Sequence, residues 1–111
     1  MKGYPMNLSI TFLYCEDCPS HHIALQELQQ IMAEDNIPAA LDIIQVQTEE
    51  QAQDLQFIGS PTILVNGKDI APPSSEANYA LTCRAYQLED GRISPLPAPT
   101  MIRKALRDAG E

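Results

Sequence analysis

Cys15 and Cys18 enclose Glu16-Asp17 and are followed at once by Pro19. Two thiols three positions apart can close on one another, because the two-residue spacer lets the second sulfur reach the first. The preceding residues, Leu-Ser-Ile-Thr-Phe-Leu-Tyr at positions 8 to 14, read as a buried strand, and the residues after Pro19 read as a helix. A helix N-terminus carries positive partial charge and unpaired backbone N–H groups. A sulfur held there is stabilised as thiolate, the form that attacks disulfides and binds metals. The pattern therefore predicts a thiol-disulfide centre at Cys15 and Cys18, one that needs no cofactor.

Other chemistry-bearing residues lie close by in sequence. His21 and His22 follow Cys18 by three and four positions, about one helical turn. With Cys15, Cys18 and the more distant Cys83 they form an alternative ligand set for zinc, copper(I) or another thiophilic metal. A closed zinc site normally shows two ligand pairs, and here one pair is visible. The competing reading makes both histidines surface or substrate-proximal groups. Cys83 is open in the same way: an inert residue of an apolar strand, or a third thiol beside the pair. Glu16 and Asp17 oppose the helix dipole by disfavouring a nearby thiolate, and equally serve as ordinary capping residues at a helix start.

The elements that must position these groups follow in order. Strand one covers about Leu8–Tyr14, with Ile10, Phe12 and Tyr14 alternating with Ser9, Thr11 and Leu13, and is expected to be covered on both faces. A helix runs from Pro19 to about Asp35, with Ala24, Leu28, Ile31 and Met32 on one face and Leu25 beside them. Asn36-Ile37-Pro38 ends it. Leu41–Gln47 is a second strand, and a strand-helix-strand crossover of this length implies a parallel pair. Thr48-Glu49-Glu50-Gln51 is a capping box that starts a short helix from about Glu49 to Gln56.

Ser60-Pro61-Thr62-Ile63-Leu64-Val65 forms the mouth and body of a third strand, stopped by an Asn66-Gly67 turn. Residues 71–79 have the composition of a surface loop. Leu81–Leu88, containing Cys83, reads as a fourth strand, and Glu89-Asp90-Gly91 as a turn leading to Arg92-Ile93-Ser94. Pro95, Pro97 and Pro99 lead into a last helix at about Thr100–Ala109, with Met101, Ile102, Ala105 and Leu106 on one face.

Composition bounds the function. A chain of 111 residues with no internal repeat and no linker makes a single domain, 1–111, large enough for one core. Fifteen acidic residues against seven basic ones give a formal net charge of −8, which repels phosphate backbones and anionic bilayers, so neither nucleic acid nor a membrane is an expected partner. An odd number of cysteines disfavours a secreted disulfide framework. Met1–Asn7 carries no signal-type pattern and no run approaches bilayer-spanning length, so a cytoplasmic location is expected.

The order β-α-β-α-β-β-α, Cys15-x-x-Cys18-Pro19 between the first strand and first helix, and Ser60-Pro61-Thr62 opening the third strand together resemble the thioredoxin-like superfamily. The resemblance spans nearly the whole chain, although two short motifs carry it. It implies an α/β fold with a central four-stranded mixed sheet flanked by helices. It implies that Ser60–Pro61 is a cis bond lying against the cysteine pair, and that Ser60, Pro61 and Thr62 contribute to substrate docking. Cys15 is then the nucleophile and Cys18 the resolving thiol, acting on a protein or small-molecule disulfide and recharged by a cellular dithiol reductant.

The surroundings depart from the family. Thioredoxins carry Trp before the pair and Gly-Pro within it, and glutaredoxins carry Pro-Tyr; here Tyr14 precedes it and Glu16-Asp17 fill it. A reducing role is expected over a strongly oxidising one, and no glutathione-binding pattern is evident. Cys83-Arg84-x-Tyr86 after a Ser-Pro-Thr strand also resembles small thioredoxin-like proteins grouped with alkylmercury-lyase-like sequences. That likeness implies mercury or soft-metal handling as the alternative function, on a chain too short for the full lyase. An adaptor that only binds extended peptides is a third reading, disfavoured by the presence of both cysteines.

Overall fold

The computed structural model describes residues 8–16, 18, 20–71, 81, 86–88 and 90–109. They form a mixed α/β unit of three helices and a four-stranded mixed sheet. The elements are β1 (Leu8–Tyr14), α1 (Ser20–Glu34), β2 (Ala39–Gln45), α2 (Glu49–Leu55), β3 (Thr62–Val65), β4 (Lys68–Asp69), β5 (Tyr86–Gln87), β6 (Ile93–Ser94) and α3 (Pro99–Asp108). The main sheet has the order β2-β1-β3-β4, and among the described residues β5 pairs with β6 in a separate two-stranded sheet. β1 and β2 are parallel from Leu8↔Ala39 to Tyr14↔Gln45. β1 and β3 are antiparallel from Ile10↔Val65 to Leu13↔Thr62.

The two-residue period of β1 divides the core. Leu8, Ile10 and Phe12 face α1 and α3, where they pack with Ala24, Leu28, Ile31, Ile63, Val65, Ile102 and Leu106. Leu13 faces the other way and packs with Cys15, Cys18, Val46, Ala52 and Phe57. The apolar faces expected for α1 and α3 are the buried ones, with Met32 and Leu25 partly covered at the margin. Arg103 of α3 reaches Asp35 at 3.0 Å and Glu34 at 3.2 Å beyond and at the end of α1, tying the two helices together.

Local chemistry explains the boundaries. Asn36, at φ 50°, adopts the left-handed conformation that closes α1, and the Ile37 N–H turns back to the Met32 carbonyl at 3.0 Å. The capping box at α2 is complete: Thr48 Oγ1 accepts from the Gln51 N–H at 3.1 Å, and Gln51 Oε1 accepts from the Thr48 N–H at 3.2 Å. Gln56, at φ 56°, ends α2 and drops the fully buried Phe57 under it. Pro99 occupies the first turn of α3, where a missing N–H leaves no bond unmade.

Two expectations change. The fourth strand of the main sheet is β4, not Leu81–Leu88. Asn66 and Gly67 have φ of 52° and 85°, the paired positive values of a primed hairpin turn, so the chain folds straight back on β3. Within Leu81–Leu88, Tyr86–Gln87 are strand and pair with Ile93–Ser94, while residues 82–85, including Cys83, lie outside the described residues. Most of the loop expected at 71–79 lies outside them too. Second, β2 begins at Ala39, because its ladder with β1 starts at Leu8. β2 is an edge strand and much of it is open to solvent, Ile43 included. Among the described residues, no helix is long and apolar enough to cross a membrane.

Candidate functional site

Cys15 and Cys18 form the turn between β1 and α1. The Cys18 N–H donates to the Cys15 carbonyl at 3.3 Å, and the Cys18 carbonyl accepts from the His21 N–H at 3.3 Å, so the turn runs directly into the first turn of the helix. That geometry places the sulfurs 3.9 Å apart, with the Cys15 thiol as donor. This is a contact between sulfurs and not a bond between them. Cys18 is nevertheless disulfide-bonded, and Cys15 is a thiol. Both are buried, at 4 % and 2 % exposure, against Leu13, Val46, Ala52 and Phe57.

His21 is held from several directions. Its Nδ1 lies 2.6 Å from the Cys18 carbonyl oxygen, and since a carbonyl only accepts, that nitrogen carries a proton. Its ring stacks on Tyr14, with centroids 4.4 Å apart and planes 22° apart, and contacts His22 at 4.1 Å. His21 is buried and His22 exposed. These contacts fix the ring as a brace for the cysteine turn. Among the described residues, no three His, Cys, Asp or Glu side chains gather as a metal site. The alternative ligand set of Cys15, Cys18, His21 and His22 is thus not assembled there: one His21 nitrogen is engaged on the Cys18 carbonyl and its ring contacts Tyr14 and His22; Cys83 lies outside the described residues.

The segment before β3 reaches the same end of the sheet. Antiparallel pairing of Leu13 with Thr62 brings the start of β3 alongside the cysteine end of β1. The Ser60–Pro61 bond is cis. Ser60, Pro61 and Thr62 are all buried. Thr62 Oγ1 donates to the Gly59 carbonyl, and the Ser60 hydroxyl has no hydrogen-bond partner among the described residues. Burial covers these residues as a whole, backbone included.

Tyr86 is the residue that sequence reasoning overlooked in this role. It is 1 % exposed, and its hydroxyl donates to the Pro61 carbonyl at 2.6 Å, fastening the β5–β6 hairpin to the segment entering β3. The available signal was a tyrosine in a half-apolar strand: a buried phenol needs a partner for its O–H. Two clefts lie elsewhere. One of about 620 Å³ is bordered by Leu88, Met101, Lys104 and Arg107, and one of about 330 Å³ by Val65, Asp69 and Ala105. Among the described residues, neither is lined by a cysteine.

No family model, no curated protein and no solved structure matches the chain.

Proposed function

We propose that the protein is a thiol-disulfide oxidoreductase of thioredoxin-like fold that uses Cys15 as nucleophile and Cys18 as resolving thiol. The observation that carries this is the 3.9 Å approach of the two sulfurs in a turn that feeds a helix N-terminus. The sheet order β2-β1-β3-β4, parallel on one side of β1 and antiparallel on the other, supports the fold reading.

The reaction is a two-electron exchange. The Cys15 thiolate attacks one sulfur of a substrate disulfide; the substrate S–S bond breaks, and the departing sulfur takes the electron pair and then a proton. The Cys18 thiolate attacks Cys15 Sγ in the mixed disulfide, releasing the second substrate sulfur and leaving a Cys15–Cys18 bond. A dithiol reductant returns the pair to thiols. The substrates are disulfides of proteins or small molecules, and the expected compartment is the reducing cytoplasm. Net charge of −8 supports neither a nucleic-acid nor a membrane partner.

Burial of both sulfurs makes access the limiting feature, so small disulfides are expected to be reduced faster than bulky ones. The test is dithiothreitol-driven reduction of insulin and of a small aromatic disulfide. Catalysis of the small disulfide that disappears in Cys15→Ser is the expected result. No acceleration of either substrate over dithiothreitol alone overturns the assignment.

A further inference from the structure

The cleft of about 620 Å³ is bordered by Leu88, at the end of the β5–β6 hairpin's first strand, and by Met101 and Lys104 of α3. Both walls are set before any ligand arrives. Ile102 and Leu106, each 0 % exposed, anchor α3 in the core. The hairpin is closed by the Leu88 N–H donating to the Arg92 carbonyl at 2.8 Å and the Gly91 N–H donating to the Leu88 carbonyl at 2.9 Å, and the Tyr86 hydroxyl fastens it to Pro61. A preformed cleft of this size is in the range that holds small organic ligands, and fixed walls lower the ordering cost of binding.

The lining sorts by polarity. Leu88, Ala98 and Met101 are half-buried, whereas Lys104, Arg107 and Asp108 are exposed. α3 carries three basic residues against one acidic residue, in a chain whose formal net charge is −8. Arg103 is engaged with Asp35 and Glu34 at the end of α1, and the Lys104 ammonium holds the Asp108 carboxylate at 2.7 Å. Among the described residues, the Arg107 guanidinium makes no hydrogen bond and no ion pair. Met101 and Arg107 are six positions apart on the helix, about 9 Å along its axis.

We propose that this cleft binds a small organic anion with an apolar body. A carboxylate pairs with the Arg107 guanidinium, whose planar fork matches its two oxygens, and an aromatic or aliphatic body of about the length of a naphthyl group lies against Met101, Ala98 and Leu88. Lys104 partly neutralises Asp108, and the remaining negative charge disfavours a multiply charged headgroup such as a phosphate ester. A monocarboxylate is therefore the class that fits. The site stands on α3 and the hairpin, and it holds whether or not the cysteine pair is a redox centre.

Nuclear magnetic resonance titration of the full chain, labelled with nitrogen-15, tests this with four compounds: 2-naphthoate, its neutral isostere 2-naphthamide, 2-naphthyl phosphate, and acetate. Saturable one-to-one binding of 2-naphthoate is expected, with amide shifts concentrated in residues 86–88 and 98–108, weaker binding of the amide and the phosphate, and no saturation by acetate. Arg107→Gln is expected to weaken 2-naphthoate about three- to tenfold and to leave 2-naphthamide unchanged. Asp108→Asn is expected to tighten 2-naphthoate, and Met101→Ala to weaken both compounds alike. Arg107 and Asp108 are exposed, so their variants are expected to keep the fold, which circular dichroism checks. Equal affinity for 2-naphthoate and 2-naphthamide, or undiminished 2-naphthoate binding in Arg107→Gln, overturns the anion assignment. Acetate binding as tightly as 2-naphthoate overturns the role of the apolar wall, and tighter binding of the phosphate overturns the monocarboxylate class. Shifts scattered over the molecule, or none that saturate, overturn the site itself.

Discussion

On one face of the sheet, Leu28 and Ile31 of α1 and Ile102 and Leu106 of α3 close over Ile10, Phe12 and Ile63. On the other, α2 contributes a single fully buried side chain, Ala52, and the packing is completed by Leu13, Val46, Phe57 and two cysteines. Among the described residues, the first cluster has eleven buried members and the second has six, of which two are sulfur-bearing. The difference teaches how stability and chemistry are distributed. The larger face can lose a methyl group without touching a reactive atom. On the smaller face every packing change is also a change at the thiols, and every change in thiol bonding alters the packing.

The sharpest way to break that contrast is a pair of truncations. Phe57→Ala is expected to lose about 3–5 kcal/mol and Leu28→Ala about 2–5 kcal/mol in urea unfolding, from lost burial plus residual cavity. The two are expected to part in a second readout. At matched fraction unfolded, Phe57→Ala speeds alkylation of Cys15 and Leu28→Ala leaves it unchanged. Equal acceleration in both would erase the distinction between the faces.

Tyr86→Phe comes next. It removes the O–H from the buried Pro61 carbonyl while keeping the ring, an expected loss of about 1–3 kcal/mol. Amide exchange is expected to rise at the start of β3 and in the β5–β6 hairpin and to stay constant in α1 and α3. A uniform rise would mean that the bond supports the whole molecule and not the cysteine end of the sheet.

The smallest effect is at Glu27 on α1, whose buried Oε1 has no hydrogen-bond partner among the described residues and whose carboxyl is pushed above the ordinary glutamate value by desolvation. A raised folded-state value means that the folded protein binds the proton more tightly. The stability this contributes is present in acid, below the unfolded value, and is lost as pH rises through the folded value. Glu27→Gln is therefore expected to stabilise the protein slightly at neutral pH, with the advantage fading as the solution is acidified. Urea unfolding of both proteins across that range checks it, and a pH-independent difference would assign the effect to something other than ionisation.

What was legible in the sequence was local. β1, α1 and α2 announce themselves through a period of two, a period near 3.6 and a reciprocal capping box, all of which act within a few residues. The cysteine turn was legible for the same reason, since strand, Cys-x-x-Cys and helix are adjacent. β4 was not: two residues carry no periodicity, and its existence depends on how Asn66 and Gly67 turn. The role of Tyr86 depends on a contact 25 positions away. Spacing alone reads His21 as a ligand or surface group, because it does not show a buried ring in contact with both Tyr14 and His22.

The central claim, that Cys15 and Cys18 are one redox unit, is tested most directly by equilibrium titration of the Cys83→Ser protein in oxidised and reduced dithiothreitol mixtures, counting alkylated thiols at each ratio by mass. The account predicts that both thiols appear together in a single two-electron transition, and that neither Cys15→Ser nor Cys18→Ser in that background shows one. Thiols that appear one at a time, or that remain fully reduced at every ratio, would contradict it.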